Sequence, residues 1–376
     1  MIRYAILFFF VFFCNCRENN EKYDFKLAVR EIRIPISYEQ LPFYPVATVL
    51  RTDSSEIFIG FNYAYNSIDF FDLRTSRFLH KIKIESDGPQ SATNLSQLYA
   101  GQKFMIASSP PLVYKINYQG EILKKYNYDT FAKDGLDGYT LDPDIQISNF
   151  KQLCYDEKND FIIKNLFSVK QKLDDAFYAK SLIFCKVYLE QAKIESIPIG
   201  YPPAFNEDVF FGDLDTPYGF YANDSLIYNF PAFSKVFIHT DNHVVEKELN
   251  PMATPKQSPP IIKNKYVDIQ ERFKHYLTSS QFFGLVRHYQ FPFLLRIHKD
   301  YTEKVGLDNS KNFLMFISQN LNKSYEVPIS QKFNPIPFPV KDGIVFQEKP
   351  TKGENYLVLQ QISMGSDLIN YLMRDQ

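Results

Sequence analysis

The sequence predicts an all-β chain folded as a six-bladed β-propeller closed by its N-terminal strand, on three observations. An apolar strand ending in Asp or Asn, a turn, and a second alternating strand recur along the whole length. From Ile68 to Tyr356 the copies average roughly one per 58 residues, a period that suits one four-stranded blade and its connecting loop. The last copy lacks a strand, and the N-terminus supplies a spare one.

Taken in order, the spare strand comes first. Lys26 to Ser37 alternates with one slip of phase, Leu27 and Val29 and then Ile32, Ile34 and Ile36, and reads as a bulged strand able to complete the final blade. Closure matters because an open ring leaves a row of unpaired backbone groups. The hairpins follow: Ser67–Asp72 into Phe78–Ile84, Val113–Asn117 into Glu121–Tyr126, Ile183–Tyr188 into Ala192–Ile197, Lys235–His239 into Val244–Leu249, and Phe313–Ile317 into Tyr325–Ile329. Tyr356–Leu359 is the unfinished copy. Proline cannot donate to a strand ladder, so Gly200-Tyr201-Pro202-Pro203, Ser258-Pro259-Pro260 and Asn334-Pro335-Ile336-Pro337 mark junctions. The resulting division is 40–90, 91–145, 146–203, 204–260, 261–335, and 336–376 with the N-terminal strand. Short helices are expected at Ile269–Ser280 and Asp367–Met373, and a loop with a turn at Asp87–Tyr99.

Composition supports one large core and excludes some partners. The 376 residues include 36 Phe and 26 Tyr but no Trp, which argues against tryptophan-aspartate repeats. With 42 basic and 43 acidic side chains intermixed, net charge is −1, and no electrostatic footprint for nucleic acid is present.

The N-terminus reads as a targeting segment: Arg3 precedes an apolar run, Ala5–Phe13, too short to span a bilayer. Phe13-Cys14-Asn15-Cys16 and a polar stretch follow, a pattern that resembles a bacterial lipoprotein signal. Cys16 is the expected lipid site, because bulky Phe13 precedes Cys14, although Asn15 stands where such signals carry Gly, Ala or Ser. Residues 1–16 are thus expected to form the signal ending at acylated Cys16, 17–25 the tether and 26–376 the propeller. A simply cleaved secretory signal is the alternative. Either leaves the domain outside the cytoplasm. With Arg17 rather than Asp after the cysteine, the lipid reading favours the outer membrane.

The cysteine signal, the hairpin Asn66–Leu73, the junction Asp87-Gly88-Pro89 and the run Phe283–Arg296 together resemble an uncharacterised family of bacterial six-bladed, TolB-like propeller lipoproteins. In that family the last run carries an acidic Tyr-Asp-Pro-Tyr-Arg type turn followed by Tyr-Tyr-Arg. Arg296 matches the final arginine, whereas Arg287-His288-Tyr289 departs from the acidic turn. The resemblance implies fold and compartment, and carries no activity.

Four groupings have side chains suited to chemistry. Arg287, His288, Arg296 and His298 form the best polar cluster for an anion, since arginine pairs bidentately with carboxylate or phosphate; the competing reading makes Arg296 a hydrogen-bond hub between blades. Asp213 and Asp215 read first as part of a turn before Thr216-Pro217; if their segment is instead extended they share a face and could hold calcium in the channel. The carboxylates of Asp134–Asp144 lack the spacing of a helix-loop-helix calcium site and read as an inter-blade loop. Cys154 and Cys185 could form a disulfide in an oxidising compartment, or remain two buried thiols.

No catalytic serine elbow, phosphate loop or dinucleotide fingerprint is present. These readings imply a non-enzymatic, envelope-anchored propeller with no cofactor, binding a protein, peptide or glycan on one ring face. The alternative is a calcium-dependent hydrolase of the lactonase or esterase kind. Mass spectrometry of the mature protein from its native envelope is expected to find an acylated Cys16 at the N-terminus, and Cys16→Ala to release the chain from the membrane fraction.

Overall fold

The computed structural model describes residues 25–88, 91–142, 153–169, 177–205, 210–240, 243–251, 256–261, 267–301, 310–351, 353 and 355–374. The signal, Cys16 and most of the tether lie outside them. Among the described residues no helix is long and apolar enough to cross a membrane.

β1 (Ala28–Pro35) precedes six antiparallel blades. The first holds β2 (Ala47–Arg51), β3 (Glu56–Asn62), β4 (Ser67–Asp72) and β5 (Arg77–Lys83). The second holds β6 (Gln97–Ala100), β7 (Met105–Ser109), β8 (Leu112–Ile116) and β9 (Ile122–Asn127). The third is the largest. It joins β10 (Ala132–Asp134), β11 (Tyr139–Leu141), β12 (Tyr155–Asp156), β13 (Phe161–Ser168), β14 (Leu182–Tyr188) and β15 (Lys193–Gly200), with β10 parallel to β15 at the outer edge. The fourth holds β16 (Tyr218–Ala222), β17 (Ser225–Asn229), β18 (Val236–Thr240) and β19 (His243–Lys247), and the fifth β20 (Gln281–Arg287), β21 (Phe293–Asp300), β22 (Lys311–Ser318) and β23 (Ser324–Ile329). The sixth is β24 (Phe338–Val340), β25 (Gly343–Gln347) and β26 (Tyr356–Ser363), completed by β1.

Every recurring hairpin read from the sequence is the outer half of a blade, its third and fourth strands. The third blade begins at residue 132, earlier than the boundary at 146. Among the described residues three α-helices connect or flank the blades: α1 (Phe177–Lys180), which the sequence reading missed, α2 (Ile269–Thr278) and α3 (Ser366–Met373). Phe25, assigned to the tether, is docked: its N–H donates to the Tyr325 hydroxyl at 3.2 Å and its ring meets Tyr325 and Tyr371.

The buried apolar residues form six clusters, each between consecutive blades. Strand parity produces this arrangement, because neighbouring residues point to opposite faces. On β3, Phe58 turns to the sixth blade while Ile59 and Phe61 turn to the second. Each blade is therefore covered on both faces, which makes its middle strands continuously apolar rather than alternating.

β1 lies antiparallel on β26 in unbroken register from Ala28 opposite Ser363 to Pro35 opposite Tyr356. The bulge expected here is absent. Ile32 and Ile34 are buried against the first blade, whereas Val29 is 61% exposed on the other side. A second clasp joins the same blades: the Gln347 amide accepts from Tyr44 N–H and donates to Tyr44 C=O, both at 2.9 Å. Related clasps recur, with Asn165 of the third blade donating to Pro217 C=O and Asn229 of the fourth to Phe282 C=O. In each case a second-strand amide grips the chain at the inner strand of the next blade.

Removing the Ile34 side chain beyond Cβ is expected to cost about 3 kcal/mol through lost burial and a residual cavity. Gln347→Leu should cost about 2 kcal/mol by stranding two buried backbone groups, and Val29→Ala less than about 0.5 kcal/mol. Urea unfolding midpoints at constant slope measure all three.

Candidate functional site

The polar cluster of the fifth blade is divided by strand parity and by the turn between β20 and β21. Arg296 and His298 stand on the face of β21 turned toward the fourth blade, and both are fully buried. Arg296 Nη1 donates to Ser234 C=O at 2.7 Å, its guanidinium carbon lies 4.6 Å from the Phe282 ring centroid, and Nη2 meets Met315 Sδ at 3.6 Å. Burial brings its pKa down to about 9. His298 stacks on Phe313 with Nε2 3.1 Å from Glu326 Oε1, and burial likewise lowers its pKa. Arg296 is thus the inter-blade hub of the competing reading, and the four residues do not make one anion site.

His288 sits in the turn beyond β20, buried against Phe291 and Phe293. Its Nδ1 accepts from the backbone N–H groups of Gln290 (3.3 Å) and Phe291 (3.2 Å), which places the neutral ring's proton on Nε2. Burial pulls its pKa from 6.5 to about 4.

Asp213 and Asp215 do not share a strand face, because Gly212–Asp215 is a 3-10 turn. Asp213 pairs with Arg272 at 2.8 Å, while Asp215 is fully buried and accepts from the Tyr178 hydroxyl at 3.0 Å. Among the described residues no group of three or more His, Cys, Asp or Glu is arranged to hold a metal ion. The acidic stretch read as a loop contains β11, and its Asp142 is buried; Asp144 falls outside the described residues.

Cys154 and Cys185 are free thiols, the second of the two readings the sequence left open. Cys154 lies beside Ile163 and packs toward the fourth blade; Cys185 lies opposite Lys164 and packs toward the second. The β13 strand separates them, and their side chains leave opposite faces of the sheet. Burial pushes the Cys154 thiol up to about 11 and the Cys185 thiol up to about 12.

The site itself lies on the ring axis. A cavity of about 240 Å³ takes lining residues from all six blades: Arg51, Gln97, Lys164, Tyr221, Arg287 and Pro339 represent one each. Arg51 ends β2, its Nε donates to Pro339 C=O, and its guanidinium lies over Tyr289. Lys164 is buried on β13, where Nζ reaches Ser108 Oγ at 3.4 Å. Its setting follows from an interruption of the third blade's inner strand: β11 pairs with β13 at 166–168 and β12 at 161–162, so Lys164 falls between the two pairings. Arg287 ends β20 and donates from Nη1 to Asn223 Oδ1 at 3.0 Å. Of the four cluster residues, only Arg287 lines this cavity.

Sequence reading missed Arg51 and Lys164, and took Asp142 only as part of an inter-blade loop. One signal was available: Lys164-Asn165 interrupts the apolar run Phe161–Leu166, where a lysine between two covered faces needs a reason.

Fold and cavity define a six-bladed β-propeller with a polar pocket on its axis. The chain belongs to the family described as Domain of unknown function (DUF4221), which matches residues 43–326. A DUF4221 member from Bacteroides vulgatus ATCC 8482 aligns with TM-score 0.72 at 15% identity, covering 90% of this chain and 98% of that one. A "Putative exported protein" from Bacteroides fragilis NCTC 9343 aligns with TM-score 0.55 at 10% identity, covering 90% and 96%. At these identities the likeness shows the fold. No curated protein matches the chain.

Buried neutral His288 binds fewer protons in the folded than in the unfolded chain, so stability is expected to fall as pH drops from 6.5 toward 4. Buried His298 acts in the same direction. Urea midpoints across that range should show a shallower slope for His288→Asn, which keeps an acceptor near the Gln290 and Phe291 amides.

Proposed function

We propose that this protein is a non-enzymatic propeller held at the outer membrane through lipid on Cys16, binding a protein, peptide or glycan of the cell envelope at the axial opening of one ring face. The observation that carries the reading is the axial cavity, to which all six blades contribute. Binding pockets are concave and carry a few convergent polar groups, and this one gathers Arg51, Lys164 and Arg287. The lipoprotein-like sequence around Cys16 supports the compartment, as does the exported description of the Bacteroides fragilis neighbour.

The calcium-dependent hydrolase has weaker support, since Asp213 is engaged by Arg272 and Asp215 is buried beneath Tyr178. Chelator is expected to leave the melting midpoint of the purified domain unchanged. Incubation with solubilised envelope should give a reproducible partner that shields Tyr221 and Arg287 from chemical labelling. A titratable hydrolytic activity together with no reproducible partner would overturn the proposal.

A further inference from the structure

The charge of the axial cavity is at odds with that of the chain. The whole protein is nearly neutral, yet among the described residues the charged lining is Arg51, Lys164 and Arg287 with the carboxylate Asp142. Cationic side chains gathered at one small opening raise each other's electrostatic energy. That arrangement lowers its energy when an anion enters.

Each cation has a contact that positions it, Lys164 through Ser108 Oγ. Arg51 is fixed by the Pro339 carbonyl and the Tyr289 ring, and Arg287 by Asn223. Holding the side chains in advance reduces the ordering cost of binding. The cavity, at about 240 Å³, is smaller than the roughly 300–1,000 Å³ of pockets for drug-sized ligands, so it suits a group of one sugar or amino-acid residue in size. Asp142 and Asn165 also belong to the lining, and side chains of these two types accept from hydroxyl groups. A ligand matching both features carries an acid group and hydroxyl donors.

We infer that the cavity binds a hydroxylated organic acid, a sugar acid of one residue in size, with its carboxylate among Arg51, Lys164 and Arg287. This rests on the reading of the axial opening as a binding site, and specifies which end group of a glycan enters it. Glucuronate is the probe, compared with glucose, glucose 6-phosphate and a dipeptide by calorimetry and thermal shift on the purified domain.

Glucuronate is expected to raise the melting midpoint at millimolar concentration, less so as salt increases, while glucose does not. Arg287→Gln, at a partly exposed position that tolerates change, should weaken glucuronate binding about tenfold or more. Lys164→Met provides a second variant, informative if its melting midpoint stays near that of the parent. Equal binding of glucose, preference for the phosphate or dipeptide, or an unchanged Arg287→Gln affinity each overturns the sugar-acid assignment while leaving a binding site. Failure of every probe, with no envelope component shielding Tyr221 and Arg287, overturns the binding reading as well.

Discussion

Ring closure is the constraint on which the rest of this structure depends. A blade covered on both faces is stable only while both neighbours stay in place, and in a linear chain the first and last blades would each lack one. Here the ladder between Ala28–Pro35 and Tyr356–Ser363 completes the sixth blade, and Ile32 and Ile34 carry its apolar face onto the first. The Gln347 clasp on Tyr44 and the Arg51 bond to Pro339 cross the same seam at two further points. Closure turns six weakly independent sheets into one body with a common axis, and the axis is where side chains from distant parts of the sequence meet.

Two settings for charge follow from this geometry. Arg296 and His298 lie between blades, where their polar ends meet Ser234 and Glu326 and serve the packing. Arg51, Lys164 and Arg287 surround the axis and leave a cavity among them. The difference lies in strand parity and in place along the strand, not in residue type. Arg287 and Arg296 are nine positions apart in one hairpin, yet the first ends β20 at the opening while the second sits mid-strand against the fourth blade.

The outer hairpins were legible because each carries a turn between two strands of clear apolar pattern, and the closing strand was legible because the last copy was incomplete. The inner strands were not. Gln97–Ala100, Tyr139–Leu141 and Phe338–Val340 are only three or four residues long, too short for a period to register. Since those strands and their neighbours form the axial lining, the cavity was the least visible part of the molecule. Of the alternatives left open for the cysteines and the aspartates, the structure takes the buried thiols and the turn for local reasons: β13 stands between the cysteines, and Gly212–Asp215 is a 3-10 turn.

The pairing of β1 with β26 also sets an order of events. Residue 28 finds its partner at residue 363, so the strand made first among the described residues is held last. Closing so long a loop is entropically expensive, and contacts of such separation form slowly. Until β26 emerges, the sixth blade lacks both the edge that receives β1 and the strand that presents Gln347 in a complete sheet. The growing chain therefore contains blades but no ring, and with no ring it has no axis for a ligand to occupy.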